Sequence, residues 1–135
     1  MMWRWIRWAL LLPVLYSCWV AALYAGIVYY GIADRFCPPA EVVSGFCVAP
    51  WFPVAEAIVV CLGAATAASL MVVAAAVVAP VAKLRASQLV LAAGSLTALV
   101  MAIHTGQYSA FVAAVLAGAI ALSAISWRVR LGGST

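Results

Sequence analysis

Four long apolar stretches divide this chain, separated by three short polar breaks. The stretches run over about 8–31, 54–79, 87–103 and 108–127, with the longest break, 32–53, after the first. Each is of the order of the ~20 residues that an α-helix needs to cross the ~30 Å hydrocarbon layer. Only 7% of the residues are charged while 70% are apolar, so too little polar surface exists to cover a water-soluble core. Lipid is therefore the expected solvent for most of the chain. The expected fold is all-α, a single polytopic membrane domain over 1–135. In it four transmembrane helices form an antiparallel bundle, because short loops make successive helices antiparallel neighbours.

Charge placement orients that bundle. Of seven basic residues, six fall on one side of the alternation: Arg4 and Arg7 before the first stretch, Lys83 and Arg85 in the middle break, Arg128 and Arg130 after the last. Asp34, Glu41 and Glu56 fall at or beside the first break, on the other side. Basic residues accumulate on the cytoplasmic side of membranes, so both termini are expected to be cytoplasmic and the 32–53 loop periplasmic or extracellular. An alternating topology with an oxidising outer face fits a bacterial inner membrane. The basic residues occur singly or in pairs, often beside Trp, which suits lipid headgroups better than nucleic acid, and no nucleic-acid partner is expected.

The run-in Trp3-Arg4-Trp5-Ile6-Arg7-Trp8 alternates Trp with Arg. Indole rings prefer the headgroup layer and Arg heads snorkel to phosphate. These residues, with Trp51, Trp127 and Arg128, are expected to anchor the helices at the interface. Pro13 is expected near the first turn of its helix, where its missing N–H does least harm. Leu15-Tyr16-Ser17-Cys18 faintly suggests a lipoprotein cleavage box, but the apolar run continues to Tyr30, longer than a signal core. A true spanning helix is expected instead. Pro80 is expected to stop the second helix, Lys83-Leu84-Arg85 to form an inner turn, and 131–135 to fray. No internal repeat is apparent.

Helices in lipid associate through small residues that let backbones approach. Gly63 and Ala67 in the second stretch, Gly94 and Ala98 in the third, and Ala114 and Gly118 in the fourth recur at that spacing. They serve either the bundle or a partner protein, and the fourth stretch, with stripes on adjacent faces, is the first choice for a partner surface.

Cys37 and Cys47 are the strongest candidate pair. Nine residues lie between them, with Pro38-Pro39 and Ser44-Gly45 as turn signals. An outward-facing loop favours a structural disulfide. A redox-active pair, or a metal site shared with His104, is the less favoured reading, since zinc needs three or four ligands. Cys18 and Cys61 lie inside apolar stretches and are expected to pack as small hydrophobes. No resident metal or other cofactor is expected, because one His cannot supply two axial haem ligands.

Glu56 is the one acid near membrane depth, which makes it a functional suspect. It also falls in the expected first turn of the second helix, where the helix dipole favours an anion. His104 ends the third stretch on the same side. Glu56 and His104, with Asp34 nearby, are candidates for a proton- or cation-responsive cluster, since imidazole titrates near neutrality. The alternative is that they do not meet. No nucleophile–base–acid set or phosphate loop appears, so enzyme activity is not expected.

Three functions compete. The first is a non-enzymatic accessory or structural subunit, binding another membrane protein or itself. The second is a small oligomeric transporter or channel with Glu56 and His104 at its outer mouth; its polar row would be only Thr66, Ser69, Ser95, Thr97 and Ser123. The third is an immunity or regulatory protein that binds through the Cys37–Cys47 loop.

Overall fold

The structure is a computed structural model that describes residues 2–79 and 82–132. Four helices account for most of it: α1 (Met2–Arg35), α2 (Phe52–Val78), α3 (Lys83–Thr105) and α4 (Tyr108–Gly132). All four are long and apolar enough to cross a membrane. Between α1 and α2 lie a short 3₁₀ turn (Pro39–Glu41) and two strands, β1 (Val42–Val43) and β2 (Phe46–Cys47).

The helices begin and end where backbone chemistry allows, and several bounds differ from the sequence expectation. The first helix starts at Met2 and ends at Arg35, so the expected 32–53 loop narrows at both ends. Pro13 consequently sits inside α1 rather than near its first turn. An interior Pro removes one i→i−4 hydrogen bond, the one its missing N–H would donate to the Ala9 carbonyl; one turn on, the Ser17 hydroxyl donates to the Pro13 carbonyl at 2.8 Å.

The second helix starts at Phe52, with Pro53 in its first positions, where a missing N–H is harmless. It ends at Val78; Pro80, expected to stop it, lies outside the described residues. The third helix starts at Lys83, so Lys83 and Arg85 belong to its first turns instead of to a connecting loop. Both are good helix formers, and the chain swings into the helix through Ala82 at φ 52°. At its other end Gly106, at φ 74°, takes the left-handed conformation that closes a helix, and its N–H donates to the Ala102 carbonyl. Two residues later α4 begins, and it continues through Leu131 and Gly132.

Packing centres on α2. It touches α1, α3 and α4, and α3 and α4 also pack on each other. The helix α1 makes its extensive contacts with α2 alone. Tyr30 meets Phe52 near one end of the α1–α2 pair, Gly26 faces Gly63 further in, and Pro13 and Cys18 share a groove with Leu70. That order of contacts makes the two helices antiparallel. Residues 63–69 of α2 are half-buried on every face, and Val72, Ala75, Ala76 and Ala79 are buried. Elsewhere the surface is apolar: only 6% of the membrane-length window of α1 is buried within the chain. Water cannot solvate such a surface, whereas hydrocarbon can.

Candidate functional site

The best-built non-helical element is the segment between α1 and α2. Ser44 and Gly45 both have positive φ, 52° and 84°, the geometry of a two-residue type I′ turn. That turn pairs Val42 with Cys47 and Val43 with Phe46. The ladder extends outward, with the Val48 N–H donating to the Glu41 carbonyl at 2.9 Å. The turn signal at Ser44-Gly45 was legible in the sequence, but the hairpin it closes was not. A disulfide joins Cys37, just after α1, to Cys47 in β2, with Cα atoms 5.9 Å apart.

Beneath the hairpin Cys47, Ala49 and Phe52 form a small buried cluster on Tyr30, Ala33 and Cys37. Tyr30 meets Phe52 edge-on at 5.6 Å, and Trp51 meets Phe52 at 5.8 Å. Edge-to-face rings at such distances are favourable beyond their buried area. The hairpin is thus a lid held on the α1–α2 end by the disulfide and by the packing of Cys47 in this cluster, while the ring contacts join α1 to the start of α2. Its outer surface remains apolar: Phe36 is 74% exposed and Phe46 67%, with Val43 and Val48 also exposed.

The candidate titratable residues are placed as follows. Asp34 is half-buried one residue from the end of α1. Glu56 is exposed on α2, and His104 is exposed in the last turn of α3. Because α2 starts at Phe52, its first turn contains no acid. The dipole argument for Glu56 is weakened accordingly, since that effect fades within a turn. Among the described residues no ion pair or hydrogen bond links Asp34, Glu56 and His104, and no group of three potential ligands gathers to hold a metal.

Several hydroxyls in the helices turn back on their own backbone. Thr66 donates to Leu62, Thr97 to Ala93, Thr105 to Met101 and Ser123 to Ile120, at 2.7–3.0 Å. One hydroxyl crosses between helices. Ser87 is fully buried and donates to the Val72 carbonyl at 3.2 Å, tying α3 to α2. Sequence reasoning placed Ser87 only as the start of a span; the available signal was a small polar residue beside Ala86 in an otherwise apolar face.

The small residues divide sharply. Gly118 is buried where α2, α3 and α4 meet, and a Cβ there would lie 2.5 Å from the Leu91 side chain. Gly63 lies against the Gly26 backbone. Ala67, Ala98 and Ala114 are half-buried. Gly94 is exposed, with open space where a Cβ would stand. On α4, Ala110, Ala113, Ala114, Ala117 and Ala121 are all half-buried, and α4 packs extensively on α2. Trp8, Trp51, Trp127 and Arg128 are exposed; the side chains of Trp3, Arg4, Trp5 and Arg7 lie outside the described residues. The free thiols, Cys18 and Cys61, are half-buried. Cys18 lines an apolar groove of about 370 Å³ between α1 and α2, shared with Leu10, Pro13, Val14, Ala21 and Leu70. Comparison with family models, with curated proteins and with solved structures finds no match for this chain.

Proposed function

We propose that this chain is a non-enzymatic integral membrane protein of a bacterial inner membrane, acting as an accessory or structural subunit that binds another membrane protein. In this reading the four helices cross the bilayer as an antiparallel bundle with both termini cytoplasmic and the disulfide lid outside. The positions of the basic residues support that orientation. The observation that carries the functional reading is the behaviour of the helix hydroxyls. Thr66, Thr97 and Ser123 satisfy carbonyls of their own helices, and among the described residues these three form no bonded row with one another to pass an ion or solute. With the titratable trio also unconnected, what the molecule offers is surface. The flank of α1, whose extensive contacts are with α2 alone, is the place for a partner helix.

Purification from native membranes in mild detergent, followed by mass spectrometry of co-eluting proteins, tests this reading. A stoichiometric foreign subunit is expected. A clean homo-oligomer would overturn it in favour of transport, and loss of flux in Glu56→Gln would then establish the transporter.

A second reading, an immunity or regulatory role through the lid, is favoured by the exposed Phe36 and Phe46. There Cys37→Ser would abolish function while membrane insertion stayed normal.

A further inference from the structure

We infer that the inner end of the seam between α3 and α4 is a binding site for an anionic phospholipid of the cytoplasmic leaflet, held by Arg85, Gln88, Ser126 and Arg130. The inference rests on the membrane reading above and adds a ligand to it.

One contact sets the register of the seam. The connection from Thr105 to Tyr108 is tight, so α3 and α4 run antiparallel, and Leu91 of α3 lies against Gly118 of α4. At ~1.5 Å per residue, Gln88 and Arg85 stand about 5 and 9 Å from that contact toward the inner end. Ser126 and Arg130 stand about 12 and 18 Å from it toward the same end.

Direction follows from the ~100° turn per residue. Measured from the contact in the sense in which each chain winds, Gln88 and Arg85 lie about 60° and 120° round α3. Ser126 and Arg130 lie about 80° and 120° round α4. Equal rotations on antiparallel helices lead to the same flank. Rotation in the opposite sense reaches Ala86 and Ser87, which are buried, with Ser87 bonded to Val72 of α2. The first flank therefore faces away from α2. On it Arg85, Gln88 and Arg130 are exposed, and Ser126 is half-buried.

These groups are donors in search of an acceptor. Among the described residues neither arginine enters an ion pair, and the Gln88 side chain makes no hydrogen bond. Ser126 donates to the Ser123 carbonyl at 2.8 Å, and its hydroxyl can rotate toward a better acceptor. Asp34, Glu41 and Glu56 all lie at the other end of the helices, so the positive charge is uncompensated. The guanidinium fork matches a phosphate.

Depth and surroundings select a lipid phosphate. Arg85 and Arg130 fall about 14 and 15 Å from the midpoints of α3 and α4, half the thickness of a ~30 Å hydrocarbon layer. That is the level of the headgroups. Further in, the same flank carries Ala92 and Ala119, both exposed, which leave an apolar track for an acyl chain. A soluble anion has no use for such a track.

The test uses the full chain in nanodiscs containing equal amounts of phosphatidylglycerol and phosphatidylcholine, with retained lipids counted by native mass spectrometry. Phosphatidylglycerol is expected to be retained about fivefold over phosphatidylcholine. Arg85→Gln with Arg130→Gln should bring the ratio toward parity. Lys83→Gln with Arg128→Gln removes the same charge from the opposite flank, where both residues are exposed, and should leave most of the preference. Gln88→Leu should lower the ratio about twofold at unchanged charge. Equal retention by the unaltered chain would overturn the inference. So would equal losses in the two double variants, because the preference would then belong to the inner charge as a whole. Release of the lipid by millimolar inorganic phosphate would also overturn it, in favour of a soluble anion. Failure to enter nanodiscs at all would refute the membrane reading itself, whereas entry without lipid preference refutes only the lipid site.

Discussion

The helices α1 and α4 both pack on α2, but in different company. The helix α4 shares its interface with α3, and at Gly118 three helices converge so closely that a single Cβ would meet the Leu91 side chain. The helix α1 makes its extensive contacts with α2 alone, with an open groove along its N-terminal half. It is secured at its other end by the lid and its disulfide. In lipid, where no hydrophobic drive presses helices together, a helix can thus be retained by close packing along its length or by a clasp at one end. This molecule uses both methods, on different helices.

The two methods can be separated by substitution. The largest effect is expected at the three-helix junction. Gly118→Val places three carbons among Leu91, Ala68 and Val72, and overpacking of this kind costs about 3 kcal/mol. A clear drop in thermal midpoint in detergent should follow. Wild-type melting would mean that the junction yields easily and that the contrast with α1 is false.

Next comes the clasp. Cys37→Ser with Cys47→Ser, or a reductant, removes a cross-link worth about 2 kcal/mol. The change should be local: amide exchange should accelerate over 36–51 while α3 and α4 keep their protection. Equal acceleration in α4 would show that the clasp serves the whole fold.

Ser87→Ala is expected to cost less, about 0.6 kcal/mol, the mean for a polar contact between helices in lipid. A loss several times larger would make the Ser87–Val72 hydrogen bond the principal tie between α2 and α3. Least of all, Gly94→Leu faces open space and should change stability by under about 0.5 kcal/mol. A strong effect there would reveal a neighbour on that face that belongs to another molecule.

The sequence made some of this legible for definite reasons. Helix number followed from apolar run length, and the disulfide from Cys37 and Cys47 flanking turn residues. Helix ends were less visible, because Lys83 and Arg85 read as a polar break although their backbone is helical. Pro13 was placed near a helix start because apolar content begins at Trp8, whereas the backbone coils from Met2. Among the small residues, spacing alone does not separate Gly118, buried at a junction, from Gly94, facing outward. Both sit in apolar helices, and hydropathy carries no information about direction when every face is apolar. The Asp34, Glu56 and His104 set was inferred from their common end of the molecule; sharing an end does not bring side chains into contact, and no bond joins them among the described residues.

The central position of α2 bears on how such a chain can evolve. A helix with neighbours on three sides has few positions where drift is silent, and residues 63–69, half-buried all round, leave little room for larger side chains. The outer face of α3 beyond Gln88 needs only to stay apolar, so Leu, Val, Ile and Phe can replace one another freely there. Relatives of this protein should therefore diverge fastest on that outer face of α3 and slowest along α2. Their kinship should be recognisable from the small-residue pattern of that one helix after the rest has become unalignable.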